Sequence, residues 1–174
     1  LIFCEHPPTY TLGKNGDESH LLFNPSRIGA SFFKIDRGGD VTFHGPGQLV
    51  VYPIFDLANF DIGTAAFVSK LEEAVINLLS KLNIDASRLE GAAGIWVDVD
   101  SYPKKICAIG IKVSKQVTMH GIAINVTTDL SWFDKIVPCG LSDKGVTSLL
   151  KLTGQQFTLD DVATRFYQEL VALL

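Results

Sequence analysis

Residues 105–127 read KICAIGIKVSKQVTMHGIAINVT, two apolar runs joined by a short polar connection at Ser114-Lys115-Gln116. The runs at 105–113 and 117–127 are rich in β-branched residues and read as antiparallel strands. IWVDVD at 95–100 adds a third strand, which makes the segment a meander. Upstream, LIFCEH reads as a strand closed by Pro7-Pro8, and GKNGDES as a turn-rich loop. SFFKID (31–36) and QLVVYPIFDL (48–57) are further strands, the latter ended near Pro53 because proline cannot donate to a central ladder. Between Thr64 and Leu82, residues Phe67, Val68, Leu71, Val75, Leu78, Leu79 and Leu82 share one helical face, with Asp61 or Thr64 as the cap. VTSLLKL reads as a short helix. A last helix runs from Leu159, capped by Thr158, with Val162, Phe166, Leu170, Val171 and Leu174 inward. Strands in hairpin series, with helices between and after them, predict an α+β fold: a mixed, largely antiparallel sheet packed by helices. No repeat or linker interrupts the chain, so residues 1–174 read as one domain.

Composition narrows the class. With 174 residues, 47% hydrophobic and 20% charged, the chain can bury a sizeable core. A net charge of −4 argues against nucleic-acid binding, and no apolar stretch is long enough to span a membrane as a helix. Cys4, Cys107 and Cys139 have no short spacing, which suits a reducing compartment with free thiols. No charged segment followed by an apolar one opens the chain, so the cytoplasm is the default location. The four histidines and three cysteines are scattered without metal-ligand spacing, so neither a metal nor a cofactor is expected.

The polar chemistry concentrates in RGGDVTFHGPGQ, residues 37–48. Four of these twelve positions are glycine, interleaved with Arg37, Thr42, His44 and Gln48, while Pro46 fixes φ at one point of a turn. Glycine at this density lets backbone approach a ligand closely, so the run reads as a ligand cradle; composition alone also allows a glycine-rich hairpin connection. It lacks the order of glycines and lysine that makes a phosphate loop.

Taken with EHPPTYTLG upstream, and with KKICAIGIKV, HGIAINV and IVPCG further on, this run resembles the octanoyltransferase family of lipoate biosynthesis. The blocks stand in the family's order from residue 5 to VTSL at 146–149. The resemblance implies the fold of biotin and lipoate protein ligase catalytic domains. It also implies an acyltransferase activity: an octanoyl group passes from octanoyl-acyl carrier protein, through a cysteine thioester, to a lysine on lipoyl domains. The implied acceptors are the lipoyl domains of 2-oxoacid dehydrogenases and the glycine cleavage H protein, in the first step of endogenous protein lipoylation. A monomer is expected. The family carries a further segment ahead of EHPP, and this chain, opening at Leu1, is expected to lack it. Two rivals stand beside this reading: an ATP-dependent lipoate or biotin ligase on the same fold, and a non-catalytic lipoyl-domain-binding module.

The resemblance assigns the acyl thioester to Cys139 and the essential lysine to Lys105. Cys139 lies in a Pro-Cys-Gly turn, whereas Cys107 alternates with Ile109, Ile111 and Val113 on a strand, and Cys4 lies in an apolar strand. By the same period-two alternation Lys105 shares the apolar face of Cys107, while Lys104 and Lys112 face water. A free thiol is only about 3% thiolate at pH 7, and a neighbouring ammonium raises that fraction. In the second half-reaction Lys105 would take the proton of the acceptor lysine. His44 or His120 as a base for the cysteine is the competing arrangement. The resemblance further places substrate contacts at Arg37, Gly38, Gly39, Asp40, Val41, Thr42, Phe43 and His44, and at Ala108-Ile109-Gly110 and Gly121-Ile122-Ala123. The small residues of the two strands would leave gaps for an acyl chain, whose burial over about six methylenes contributes roughly 5 kcal/mol. Because the chain is itself acidic, docking of acidic carriers would need a local basic patch, with Lys104, Lys112, Lys115 and Lys144 as candidates.

Overall fold

The expected hairpin forms between strands Lys104–Ser114 and Val117–Asn125, paired from Cys107↔Ile124 to Ser114↔Val117. Its turn residues Lys115 and Gln116 both have positive φ, 50° and 65°. A two-residue turn of that hand matches the twist of the flanking strands. The left-handed backbone costs roughly 1–2 kcal/mol per non-glycine residue, which the long ladder offsets.

The computed structural model describes residues 1–137 and 144–174. In chain order the strands are β1 (Ile2–Cys4), β2 (Thr9–Leu12), β3 (Ser31–Lys34), β4 (Val41–His44) and β5 (Gln48–Tyr52), followed by helix α1 (Thr64–Ser80). Then come β6 (Ser87–Leu89), β7 (Ala92–Val97), β8 (Lys104–Ser114), β9 (Val117–Asn125), β10 (Gly145–Val146), α2 (Leu149–Thr153) and α3 (Leu159–Leu173). The larger sheet has the order β1-β5-β9-β8-β7-β6, antiparallel throughout, and β10 joins β8 in parallel. The fold is α+β with a mixed, largely antiparallel sheet, as the hairpin series predicts.

A second sheet, β3-β2-β4, was not legible: TYTL is read as no element and VTFH as part of the cradle, yet they pair antiparallel from Thr9↔His44 to Leu12↔Val41. Both strands are four residues long and lie between glycines and prolines, too short for alternation to register.

α1 and α3 cover one face of the large sheet. Phe67, Leu71, Val75 and Leu78 from α1, with Val162, Phe166 and Leu170 from α3, pack on Leu49, Val51, Ile106, Cys107, Ile122 and Ile124. Two helix details differ from expectation. α1 is capped by Gly63 without a side-chain hydrogen bond; Thr64 is its first residue, and Asp61 instead ends a preceding 3-10 turn in the left-handed region. Thr158 does cap α3, accepting from Asp161 N. Val171 and Leu174, however, are exposed, because nine and twelve residues beyond Val162 the 100° advance carries them off the buried stripe.

The opposite face of the large sheet looks toward the small one. A second apolar cluster of Tyr10, Leu12, Val41, Phe43, Phe133 and Ile136 holds the small sheet against the 3-10 segment Leu130–Lys135. Phe43 stacks on Trp132 at 5.1 Å, and Tyr10 donates its hydroxyl hydrogen bond to Trp132 O at 2.8 Å.

Candidate active site

Between the two sheets lies a cavity of about 520 Å³. Its floor is the large sheet: Gln48, Val50 and Tyr52 from β5, Lys105, Ala108 and Gly110 from β8, and Gly121, Ala123 and Asn125 from β9. Its roof is the small sheet, through Thr9, Thr11, Ser31, Phe33, Val41, Thr42 and His44. The alternation that sends Leu49, Val51 and Ile124 into the helical core leaves Gln48, Val50 and Tyr52 of β5 and Gly121, Ala123 and Asn125 of β9 to line the cavity.

Lys105 belongs to this floor, not to the apolar face expected for it. Along the β7–β8 pair, Ile95 faces Cys107 while Trp96 faces Lys105, so β8 spends two residues where β7 spends one. The extra residue is a β-bulge that puts Ile106 and Cys107 both in the helical core. Simple alternation fails across the bulge, and Lys105 is turned to the cavity. On its other side β10 pairs Val146 with Lys105, and Thr147 N donates to Lys105 O at 3.0 Å. The Lys105 ammonium lies 4.6 Å from the ring centroid of Trp96.

The cradle is built by its own arginine. Arg37 donates through Nη2 to Thr11 O (2.8 Å) and Asp40 O (2.7 Å), through Nη1 to Gly38 O (2.9 Å), and through Nε to Thr11 Oγ1 (3.3 Å). The guanidinium thus ties β2 to the Gly-Gly turn while lining the cavity. Gly110 is needed here: a Cβ on it would stand 2.9 Å from both Arg37 Cδ and Gly38 O. At Gly121 a Cβ would collide with Val51 O. These two glycines therefore admit the protein's own chain rather than opening gaps for a ligand; Ala108 and Ala123 are the small residues left facing the space.

His44 is locked into a directed network. Gln48 Nε2 donates to Phe43 O (3.1 Å) and Asn125 Oδ1 (2.9 Å), which turns its Oε1 to His44 Nδ1 at 2.9 Å. Nδ1 therefore carries the proton, and Nε2 accepts from the Thr11 hydroxyl, 3.4 Å away. Burial pushes the His44 pKa down to about 4, with the nearby Arg37 charge adding to the effect against the Gln48 hydrogen bond. His44 is a neutral, structural imidazole near pH 7, unsuited to be a general base. His120 differs: it has φ of 61° within β9, sits at the rim, and places Nε2 2.8 Å from Asp36 Oδ1.

Of the described residues assigned to substrate, Arg37, Gly39, Asp40, Val41, Thr42, His44, Ala108, Ile109, Gly110, Gly121, Ile122 and Ala123 line the cavity. Gly38 and Phe43 do not: Gly38 N donates to Ile111 O, and Phe43 is fully buried in the second cluster. Cys139 lies outside the described residues. Neither of the other cysteines favours a thiolate. Burial raises the Cys107 pKa to about 12, and it raises that of Cys4 as well.

The basic residues do not form one patch. Lys104 pairs with Asp98 at 2.7 Å and Lys112 pairs with Asp36, eight positions apart on β8, which is about 26 Å of strand.

Three contributors escaped the sequence reading. His6 Nε2 meets Tyr52 Oη at 2.8 Å on the cavity wall. His20 holds Asp40 of the cradle through Nδ1, while its carbonyl accepts from Val137 N at 2.9 Å. Trp96 underlies Lys105. The histidines in EHPP and ESHLL stood isolated among polar neighbours, and nothing in their spacing tied them to residues tens of positions away.

Residues 1–171 match the family described as the lipoyl protein ligase A/B catalytic domain. The chain is 50% identical over 178 residues to an octanoyltransferase of Bacteroides fragilis, covering 100% of this chain and 80% of that protein. It is also 50% identical over 179 residues to one of Bacteroides thetaiotaomicron, covering 100% and 78%. In fold it is similar to a bi-partite lipoate protein ligase of Thermoplasma acidophilum, with TM-score 0.72, 19% identity, and 98% of this chain and 69% of that chain covered. It is likewise similar to the biotin protein ligase of Aquifex aeolicus, with TM-score 0.60, 17% identity, and 94% and 69% covered. With half of its residues identical to both relatives along the whole of this chain, the chain belongs to the octanoyltransferases, acyltransferases within the lipoyl protein ligase A/B catalytic-domain family.

Proposed function

We propose that this chain moves an octanoyl group from octanoyl-acyl carrier protein to the acceptor lysine of lipoyl domains, with Cys139 as nucleophile and Lys105 as its partner. The observation that carries this reading is the delivery of Lys105 to the floor of an apolar-walled cavity, beside the strand that begins at Gly145, six positions after Cys139 in sequence. Described residues before and after Cys139 in sequence are anchored: Val137 N donates to His20 O (2.9 Å), and Gly145 N donates to Pro103 O (2.9 Å), next to Lys104.

In the first step the Cys139 thiolate attacks the octanoyl thioester. A new sulfur–carbonyl bond forms and the bond to the carrier sulfur breaks; the Lys105 ammonium gives the departing thiolate its proton, so the carrier leaves as thiol and Lys105 is left a neutral amine. One thioester replaces another, so the step is near isoenergetic. The Lys105 ammonium favours the attacking thiolate. In the second step the acceptor amine attacks the thioester carbonyl and neutral Lys105 takes its proton; an amide forms and Cys139 leaves as thiolate beside the Lys105 ammonium, the pair with which the cycle began. The cavity holds the acyl chain against Ala108, Ala123 and Val50 and keeps water from the thioester. The reaction is placed in the cytoplasm, with the enzyme acting as a monomer.

The test is intact-mass spectrometry after incubation with octanoyl-acyl carrier protein. One octanoyl mass, labile to hydroxylamine and lost in Cys139→Ala, is expected. An adduct that survives Cys139→Ala, or transfer that requires ATP and free octanoate, overturns the reading.

A further inference from the structure

We infer that Trp96 is a positioning residue that holds the Lys105 side chain at the reacting end of the cavity. The inference rests on the role proposed for Lys105 and adds the element that fixes its geometry. Trp96 and Lys105 are direct cross-strand partners at the β-bulge, with the ammonium 4.6 Å from the ring centroid, well inside the range of a cation–π contact. The indole cannot swing away: it is 2% exposed and its N–H donates to Ala92 O at 3.0 Å.

Trp96 is buried, but among the described residues it joins neither of the two apolar clusters. Gly94 completes the arrangement. A Cβ there would stand 3.3 Å from Lys105 Cε and 2.5 Å from Cys107 O, and its φ of 110° is closed to other residues. The lysine stem thus runs along a lane that β7 leaves open and ends over an aromatic face. A four-carbon stem otherwise samples many rotamers, and each one off the reacting geometry is unproductive. Trp96 does not itself line the cavity, so substrate affinity should not depend on it.

The experiment uses protein carrying [13C]lysine. The Lys105 ε-methylene signal, identified by its loss in Lys105→Met, should lie upfield of the other lysines through the indole ring current. A Lys105 signal at the ordinary lysine position in the unaltered protein overturns the inference before any Trp96 variant is made. Trp96→Leu should return the signal to the ordinary position and lower kcat about ten-fold, with KM for octanoyl thioester unchanged. Trp96→Phe, which keeps an aromatic face, should recover most of the rate. Slowed transfer in Lys105→Met beside normal transfer in a folded Trp96→Leu protein overturns the inference alone. Unimpaired transfer in Lys105→Met removes both the proposed role of Lys105 and this inference.

Discussion

Lys105 and Lys112 lie seven residues apart on β8 in opposite surroundings. At Lys112 the β8–β9 ladder is regular, and the side chain reaches a half-exposed carboxylate, Asp36, which it shares with His120. At Lys105 the ladder is irregular: β8 carries one extra residue against β7, β9 has already given way to β10, and the ammonium of a cavity-lining side chain meets an indole. One residue type on one strand is a solvated ion pair where pairing is regular and a candidate reactive group where it breaks. Irregular pairing is the device that turns a side chain out of its alternation.

The comparison breaks most sharply by removing each ammonium in turn. Lys105→Met keeps much of the stem but no charge, and transfer from preformed acyl-enzyme to a lipoyl domain should slow by about 10²–10⁴. Thiolate formation at Cys139, followed by ultraviolet absorbance against pH, should move toward the free-thiol value near 8.5. Unchanged titration with unchanged deacylation would refute the dual role. Cys107→Ala should keep the octanoyl adduct, since burial holds that thiol at about 12.

The histidines sharpen the same contrast between interior and rim. His44 is neutral in the fold, with its pKa pushed down to about 4 from an ordinary value near 6.5. Above pH 6.5 both folded and unfolded chains carry it neutral and nothing is lost. As pH falls through 6.5 toward 4 the unfolded chain takes up the proton first, so stability drops, by about 3 kcal/mol at the lower end. Denaturant midpoints measured from pH 7 to pH 4 should fall, and His44→Gln should flatten that fall. A slope equally steep in His44→Gln would assign the acid loss to other groups.

Much of the fold was legible because its signals are local. The β8–β9 hairpin and α1 follow from alternation and 3.6-residue spacing within one stretch. The small sheet was not, because β2 and β4 pair across some thirty intervening residues and each is too short to show a period. At the site, motif order brought Lys105, Arg37 and His44 together, but not the reasons for their placement. The bulge at Ile106 defeats the alternation from which the face of Lys105 was read. Trp96 and Gly94, which receive its side chain, lie on a neighbouring strand whose register no sequence pattern fixes. The roles of Gly110 and Gly121 depend on the backbone atoms their missing side chains would strike, which composition does not reveal.

The smallest effect belongs to Lys112. Its charge is already matched by Asp36, whose carboxyl is held at about 2, first by the Lys112 hydrogen bond and then by that of His120. Lys112→Met leaves His120 beside Asp36, so the rim keeps one of its two contacts. The rate with a small octanoyl thioester should stay within about three-fold, because the change lies at the far end of β8 from Lys105 and exposed pairs contribute little. KM for octanoyl-acyl carrier protein should rise by no more than about two-fold even at low salt, since a lysine with a carboxylate neighbour adds little net field to steer an acidic carrier. Lys115, in the hairpin turn, has no ion pair among the described residues, and its charge reversal should act more strongly on the carrier-bound substrate. A large, salt-sensitive rise in KM confined to Lys112→Met would mean that the ion pair opens on docking. The regular end of β8 would then be part of the carrier surface rather than a solvated rim.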